Sequence, residues 1–204
     1  NGSIVETLTI TVSATHAGPN ITDKQVDSIG KRKGFNNDNR MAFRCTATAD
    51  HGTILKAVIW LNTDSNWTDF RNAASFWDVP AQNIMYADVD GNIGYQTPGR
   101  IPIRAEGHTG LLPVDGTTDK YEWKGYIPFD DLPRIYNPPR GYIVTANQAV
   151  VPLEYYDQLK AKLGSQFGEN SNYQISQEWA YGYRAQRINE LIQTTGPHTA
   201  DTIK

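Results

Sequence analysis

The residues that could carry chemistry are few, and most of their combinations fail on spacing. Asp88, Asp90 and Asn92 sit at alternate positions, as in the opening of a calcium loop, but the twelfth position, where such a loop needs a glutamate, is Gly99. The better reading of Asp90-Gly91-Asn92 is a hairpin turn. The four histidines, His16, His51, His108 and His198, have no partner at i+3 or i+4, so the spacing of a zinc site is missing. Gly91-Asn92-Ile93-Gly94 lacks the Lys-Ser or Lys-Thr that follows a phosphate-binding loop. No nucleophile-elbow motif marks one serine for attack. The single cysteine, Cys45, cannot form an internal disulfide, and with only Arg44 as a neighbouring cation it reads as a buried, inert thiol.

Composition narrows the field further. The 204 residues are 39% hydrophobic and 20% charged, which is globular, and the net charge of -3 argues against nucleic-acid binding. Lys31-Arg32-Lys33 is the only basic run and reads as a solvated loop. No apolar run approaches the ~20 residues that a membrane-spanning helix needs.

The elements that must position any site follow from periodicity. Leu8, Ile10, Val12 and Ala14 alternate with Thr7, Thr9, Thr11 and Ser13, which predicts a strand. Residues 22–39 carry no period and read as a loop. The alternation Met41, Phe43, Cys45, Ala47 predicts a second strand over 41–48. Ile54, Leu55, Val58 and Leu61 recur at helical spacing. Ser65 or Asn66 can cap a further helix with Trp67, Phe70, Ala74 and Trp77 on its apolar face, and Pro80 bars its continuation. Residues 84–89 and 93–97 form the two arms of a hairpin, and 98–140, rich in proline and glycine, read as an irregular covering segment anchored by Trp123, Tyr126 and Phe129. Gly141–Ala146 reads as a short apolar strand. A helix runs from Pro152 to Gly164 with Leu153, Tyr156, Leu159 and Leu163 inward, and a last one from Tyr183 to Gln193 with Ala185, Ile188, Leu191 and Ile192 inward. Strands and helices come in separate runs, so the fold class is α+β.

Six blocks then carry a resemblance. The run Tyr86-Ala87-Asp88-Val89-Asp90-Gly91-Asn92-Ile93-Gly94-Tyr95 resembles a signature of the penicillin acylase family. It is followed, in the family's order, by Gly99–Arg104, Gly110–Pro113, Glu122–Phe129, Asn137–Asn147 and Gly182–Ile188. The resemblance covers most of the chain from about Met41 onward. It implies an N-terminal nucleophile hydrolase: a four-layer αββα sandwich in which two antiparallel sheets are covered by helices. There, a serine exposed by self-cleavage attacks an amide carbonyl, with its own α-amine, of pKa ~7.7–8.0, as base.

What the resemblance implies for single residues is specific. Asn147 matches the family's oxyanion-hole asparagine, and Arg184 an arginine placed near the nucleophile's amine and that asparagine. Arg187 is expected to be structural. The nucleophile is not in this chain, since Ser3 is internal and has no free α-amine. The expected partners are therefore an α-subunit and the preceding part of the β-subunit, with a small-molecule amide as substrate. The chain alone is expected to be inactive and to self-associate, with no nucleic-acid or membrane partner. The family also binds calcium away from the chemistry. Gly110 aligns with one carbonyl contributor and Glu178 is the only acid near the last ligand, but no metal ligand is assigned and no cofactor is expected in this chain. Localisation, by resemblance, is periplasmic or secreted. Without the resemblance, a non-catalytic aromatic-rich binding module or a structural lobe remains an alternative.

Overall fold

The computed structural model describes residues 14–21, 41–48, 52–194, 196, 198–199 and 201. The strand expected over 7–14 and the loop expected over 22–39, with Lys31-Arg32-Lys33, lie outside the described residues apart from Ala14. Two compact units divide the chain, Asn1–Asp50 and His51–Lys204.

In the first unit, β1 (Ala14–Thr15) pairs antiparallel with β2 (Gly18–Pro19) around His16-Ala17. The strand expected over 41–48 does not form as such. Ala42 makes one antiparallel bridge to Asn20, and the chain then tightens into a 3-10 turn at Thr46–Thr48. The reason is local: the Thr48 hydroxyl and amide both donate to the Cys45 carbonyl, at 2.9 and 3.1 Å. A threonine that bonds its own backbone in this way competes with a sheet ladder. Cys45 is a free thiol and half-buried, less enclosed than its alternating pattern suggests.

The second unit opens with two short helices. α1 (Ile54–Leu61) starts at Thr53, whose hydroxyl donates to the Phe76 carbonyl (2.7 Å) and the Asp78 carboxylate (2.8 Å). α2 (Trp67–Ala74) is capped by Asn66: its side-chain oxygen accepts from Asp69 N at 3.0 Å, while its amide nitrogen donates back to the Asp69 carboxylate at 2.7 Å. Such reciprocal capping satisfies a donor that a helix start otherwise leaves unpaired. Trp67 then packs against Phe70, Tyr86 and Tyr136, with ring centroids 5.0–5.5 Å away.

Those aromatics seat α2 on an antiparallel sheet of order β3-β4-β7, built from β3 (Ile84–Ala87), β4 (Ile93–Gln96) and β7 (Arg134–Tyr136). Gly94 lets the helix approach: a Cβ there would lie 2.4 Å from the Trp67 ring. The β3–β4 turn is organised by Asp88, which accepts from Asp90 N, Asn92 N, the Asn92 side chain and the Tyr86 hydroxyl. Burial, followed by the bond to Asp88, pushes the Tyr86 phenol up to about 12.

A second antiparallel pair, β5 (Pro102–Arg104) with β6 (Trp123–Tyr126), arises inside the segment expected to be irregular. It carries the main core. Ile101, Ile103, Ile127 and Leu132 are buried with Leu159, Leu163 and Tyr173, and Phe129, Tyr155, Phe167 and Ile175 pack around them. Leu159 and Leu163 come from α3 (Glu154–Phe167), four residues apart and hence on one face. The helix runs through Gly164, its expected end, and stops at Gly168, whose φ of +99° suits glycine.

α4 (Tyr183–Thr194) lies where expected, but of its predicted inward face only Ala185 is buried; Ile188 and Leu191 are exposed. Gly141–Ala146 forms no strand. Gln148 folds back and takes the groups that a neighbouring strand would take: its Oε1 accepts from Ala146 N (2.6 Å) and its Nε2 donates to Val144 O (3.0 Å).

Candidate active site

The chemistry suggested for Asn147 and Arg184 requires that residues 37 apart in sequence meet, and they do. Gly182, at φ +88°, turns the chain into α4 and accepts from Gln186 N at 2.8 Å, which sets Arg184 on the first turn of the helix. Arg184 Nη2 donates to the Ala146 carbonyl at 2.9 Å and to Asn147 Oδ1. Ala180 N donates to the Asn147 carbonyl at 2.8 Å, so the segment before α4 also grips the loop.

This geometry decides which way the Asn147 carboxamide faces. A guanidinium only donates, so the atom it meets must be the amide oxygen. Asn147 Nδ2, with two hydrogens, is then turned away and donates to nothing among the described residues. The residue is exposed and its backbone is left-handed, at φ +65°. Asparagine tolerates that region better than most residues with a Cβ, but holding it there takes surrounding contacts. The arrangement offers a preorganised, neutral donor whose strength does not depend on pH.

Arg184 has no carboxylate partner among the described residues; a carbonyl and a carboxamide are its acceptors. Its positive charge is left uncompensated beside Asn147. Arg187, by contrast, pairs with Glu190 at 3.4 Å on the exposed surface of the helix. Two contributors were invisible to sequence reasoning. Gln148 carries no motif, and the Ala180 amide is a backbone group common to every residue type.

Other candidate features fall apart from this site. A cleft of about 720 Å3, lined by Glu106, Lys120, Tyr121, Lys124, Phe167 and Glu169 among others, contains neither Asn147 nor Arg184. No group of three or more His, Cys, Asp or Glu suited to a metal occurs among the described residues. A Cβ on Gly110 would lie 2.9 Å from Arg104 Nε, so the glycine aligned with a calcium contributor packs against a guanidinium.

The fold, with its helices and antiparallel sheets, is α+β and of the N-terminal nucleophile hydrolase class. Its fold matches that of a thermostable penicillin G acylase from Alcaligenes faecalis with a TM-score of 0.67 and 25% identity, over 95% of this chain and 30% of that one. Residues 4–204 match the penicillin amidase family, and the chain belongs to that family. It is 44% identical over 84 residues to penicillin G acylase of Escherichia coli, covering 41% of this chain. It is 46% identical over 114 residues to acyl-homoserine lactone acylase QuiP of Pseudomonas fluorescens, covering 56% of this chain. These matches span only 10% and 12% of the two relatives' lengths.

Proposed function

We propose that this chain supplies the oxyanion-stabilising part of an amidohydrolase that cleaves a linear amide between an acyl group and an amine, of the penicillin, cephalosporin or acyl-homoserine lactone type. The observation that carries this reading is the Asn147 carboxamide, held by its oxygen to Arg184 so that its NH2 is free to donate.

In the complete enzyme the hydroxyl of an N-terminal serine, outside this chain, attacks the substrate carbonyl carbon. The hydroxyl proton passes to the serine's α-amine, and the carbonyl π pair moves onto oxygen. Asn147 Nδ2 donates to that oxygen as it becomes anionic, an interaction stronger in the transition state than with the planar amide. Collapse of the intermediate expels the amine, which takes the proton, and water then hydrolyses the acyl-serine by the same route. Arg184 has two parts in this. It orients Asn147, and its charge disfavours the protonated α-amine, keeping the base available near neutrality.

The remaining β-subunit and an α-subunit supply the nucleophile and much of the acyl pocket, and the protein works in the periplasm or outside the cell. The relatives' activities support this reading. In the complete enzyme, Asn147→Ala is expected to lower kcat by about 10²–10³, far more than it changes folding stability. An unaltered kcat removes Asn147 from the mechanism. The 204-residue chain alone is expected to show no turnover of a chromogenic phenylacetyl amide, and clear turnover by the pure chain contradicts the assignment of the nucleophile elsewhere.

A further inference from the structure

The left-handed backbone of Asn147 needs something to hold it, and the two bonds of Gln148 are placed to do so. Gln148 Oε1 accepts from Ala146 N at 2.6 Å and Gln148 Nε2 donates to Val144 O at 3.0 Å. One end of this link lies after Asn147 in sequence and the other before it. The side chain therefore closes a ring across Asn147, and a large rotation of the Asn147 φ or ψ breaks it. Arg184 and the Ala180 amide fix the same residue from outside the loop, through Ala146 O, Asn147 Oδ1 and Asn147 O. Only Gln148 acts from within it.

Resting on the reading of Asn147 as oxyanion donor, we propose that Gln148 is a positioning residue that sets the direction of the Asn147 NH2 by locking the Val144–Gln148 loop. Gln148 touches no reacting atom; its whole effect passes through Asn147. The glutamine length matters, because the carboxamide must reach one backbone donor and one backbone acceptor at once. Methionine has similar length but neither hydrogen bond. Glutamate keeps the acceptor for Ala146 N and loses the donor to Val144 O.

The test is a double-mutant cycle in the complete enzyme. Gln148→Met is expected to lower kcat about ten- to a hundredfold, the scale of a small misplacement of a catalytic group, with KM within about twofold. Gln148→Glu is expected to recover part of that loss. In an Asn147→Ala background, Gln148→Met is expected to cost nothing further, since the group it aims is gone. A wild-type kcat for Gln148→Met overturns the proposal, as does an equal loss in both backgrounds, which marks a merely structural role. If Gln148→Met does not fold, the same comparison is read from Gln148→Glu. An Asn147→Ala enzyme with wild-type kcat sinks the oxyanion reading itself, and that single variant separates the two failures.

Discussion

At the scale of single residues, the site consists of donors and acceptors that have no choice of role. Arg184 can only donate, so Asn147 Oδ1 faces it and Nδ2 faces away. The charge then yields a pH prediction. A cation near the nucleophile's α-amine lowers that amine's pKa, because the protonated form is repelled. In the complete enzyme, Arg184→Met should move the acidic limb of the kcat/KM profile to higher pH, while Arg184→Lys, which keeps the charge, should leave it close to wild type. An unmoved limb in Arg184→Met takes away the electrostatic role. Asp88 gives a second pH effect, on stability. Hydrogen bonds, first that from the Asn92 side chain, hold its carboxyl below its ordinary value of 3.8. Its stabilisation is complete above 3.8 and is lost as pH falls through the lowered folded value. Thermal midpoints of the wild type should therefore fall more steeply below that pH than those of Asp88→Asn; parallel curves contradict it. Neither Asn147 nor Arg184 was legible from spacing, because they stand 37 positions apart with an irregular loop between them. Only the ordered family motifs pointed to the pair.

At the scale of elements, periodicity located what packing later used. α1, α2, α3, α4 and the β3–β4 hairpin fall within a few residues of their expected bounds. The misses share a cause. The strand expected over 41–48 rests on apolar alternation and that over 141–146 on a short apolar run, but Thr48 and Gln148 intercept the backbone groups that a ladder would use. An apolar pattern reports what can be buried and says nothing about side chains that bond their own backbone. Gly164 misled in the opposite direction. The returning Glu169 lies 3.3 Å from where its Cβ would be, so glycine serves close packing within α3 rather than its end. Two core predictions test the packing. Gly94→Ala drives a methyl into the Trp67 ring and should cost about 1–3 kcal/mol by denaturant unfolding. Leu159→Ala, in the core beneath β5 and β6, should cost about 2–5 kcal/mol. Losses below half a kcal/mol at both sites contradict the described contacts.

At the scale of the whole molecule, the chain leaves apolar surface uncovered. On α1, Leu55 is 70%, Ile59 55% and Trp60 43% exposed, while Ala57 alone is buried. Contiguous apolar surface of this kind is uncommon on a monomer. The isolated chain should therefore self-associate with rising concentration, as read by light scattering; a clean monomer at high concentration counts against this. The family was legible from six ordered blocks, and the α+β class from the separate runs of strands and helices. The division of the chain into two units was not, because no linker-like composition marks residue 50. In the proposed reaction Asn147 stabilises a tetrahedral anion and not the planar amide. The most direct measurement is the affinity of the complete enzyme for a boronic-acid analogue of the acyl group, set beside its affinity for the planar carboxylate product, in wild type and Asn147→Ala. The variant is expected to lose about 10²–10³ in affinity for the tetrahedral analogue and almost none for the product. Equal losses for both ligands, or no loss for the analogue, contradict it.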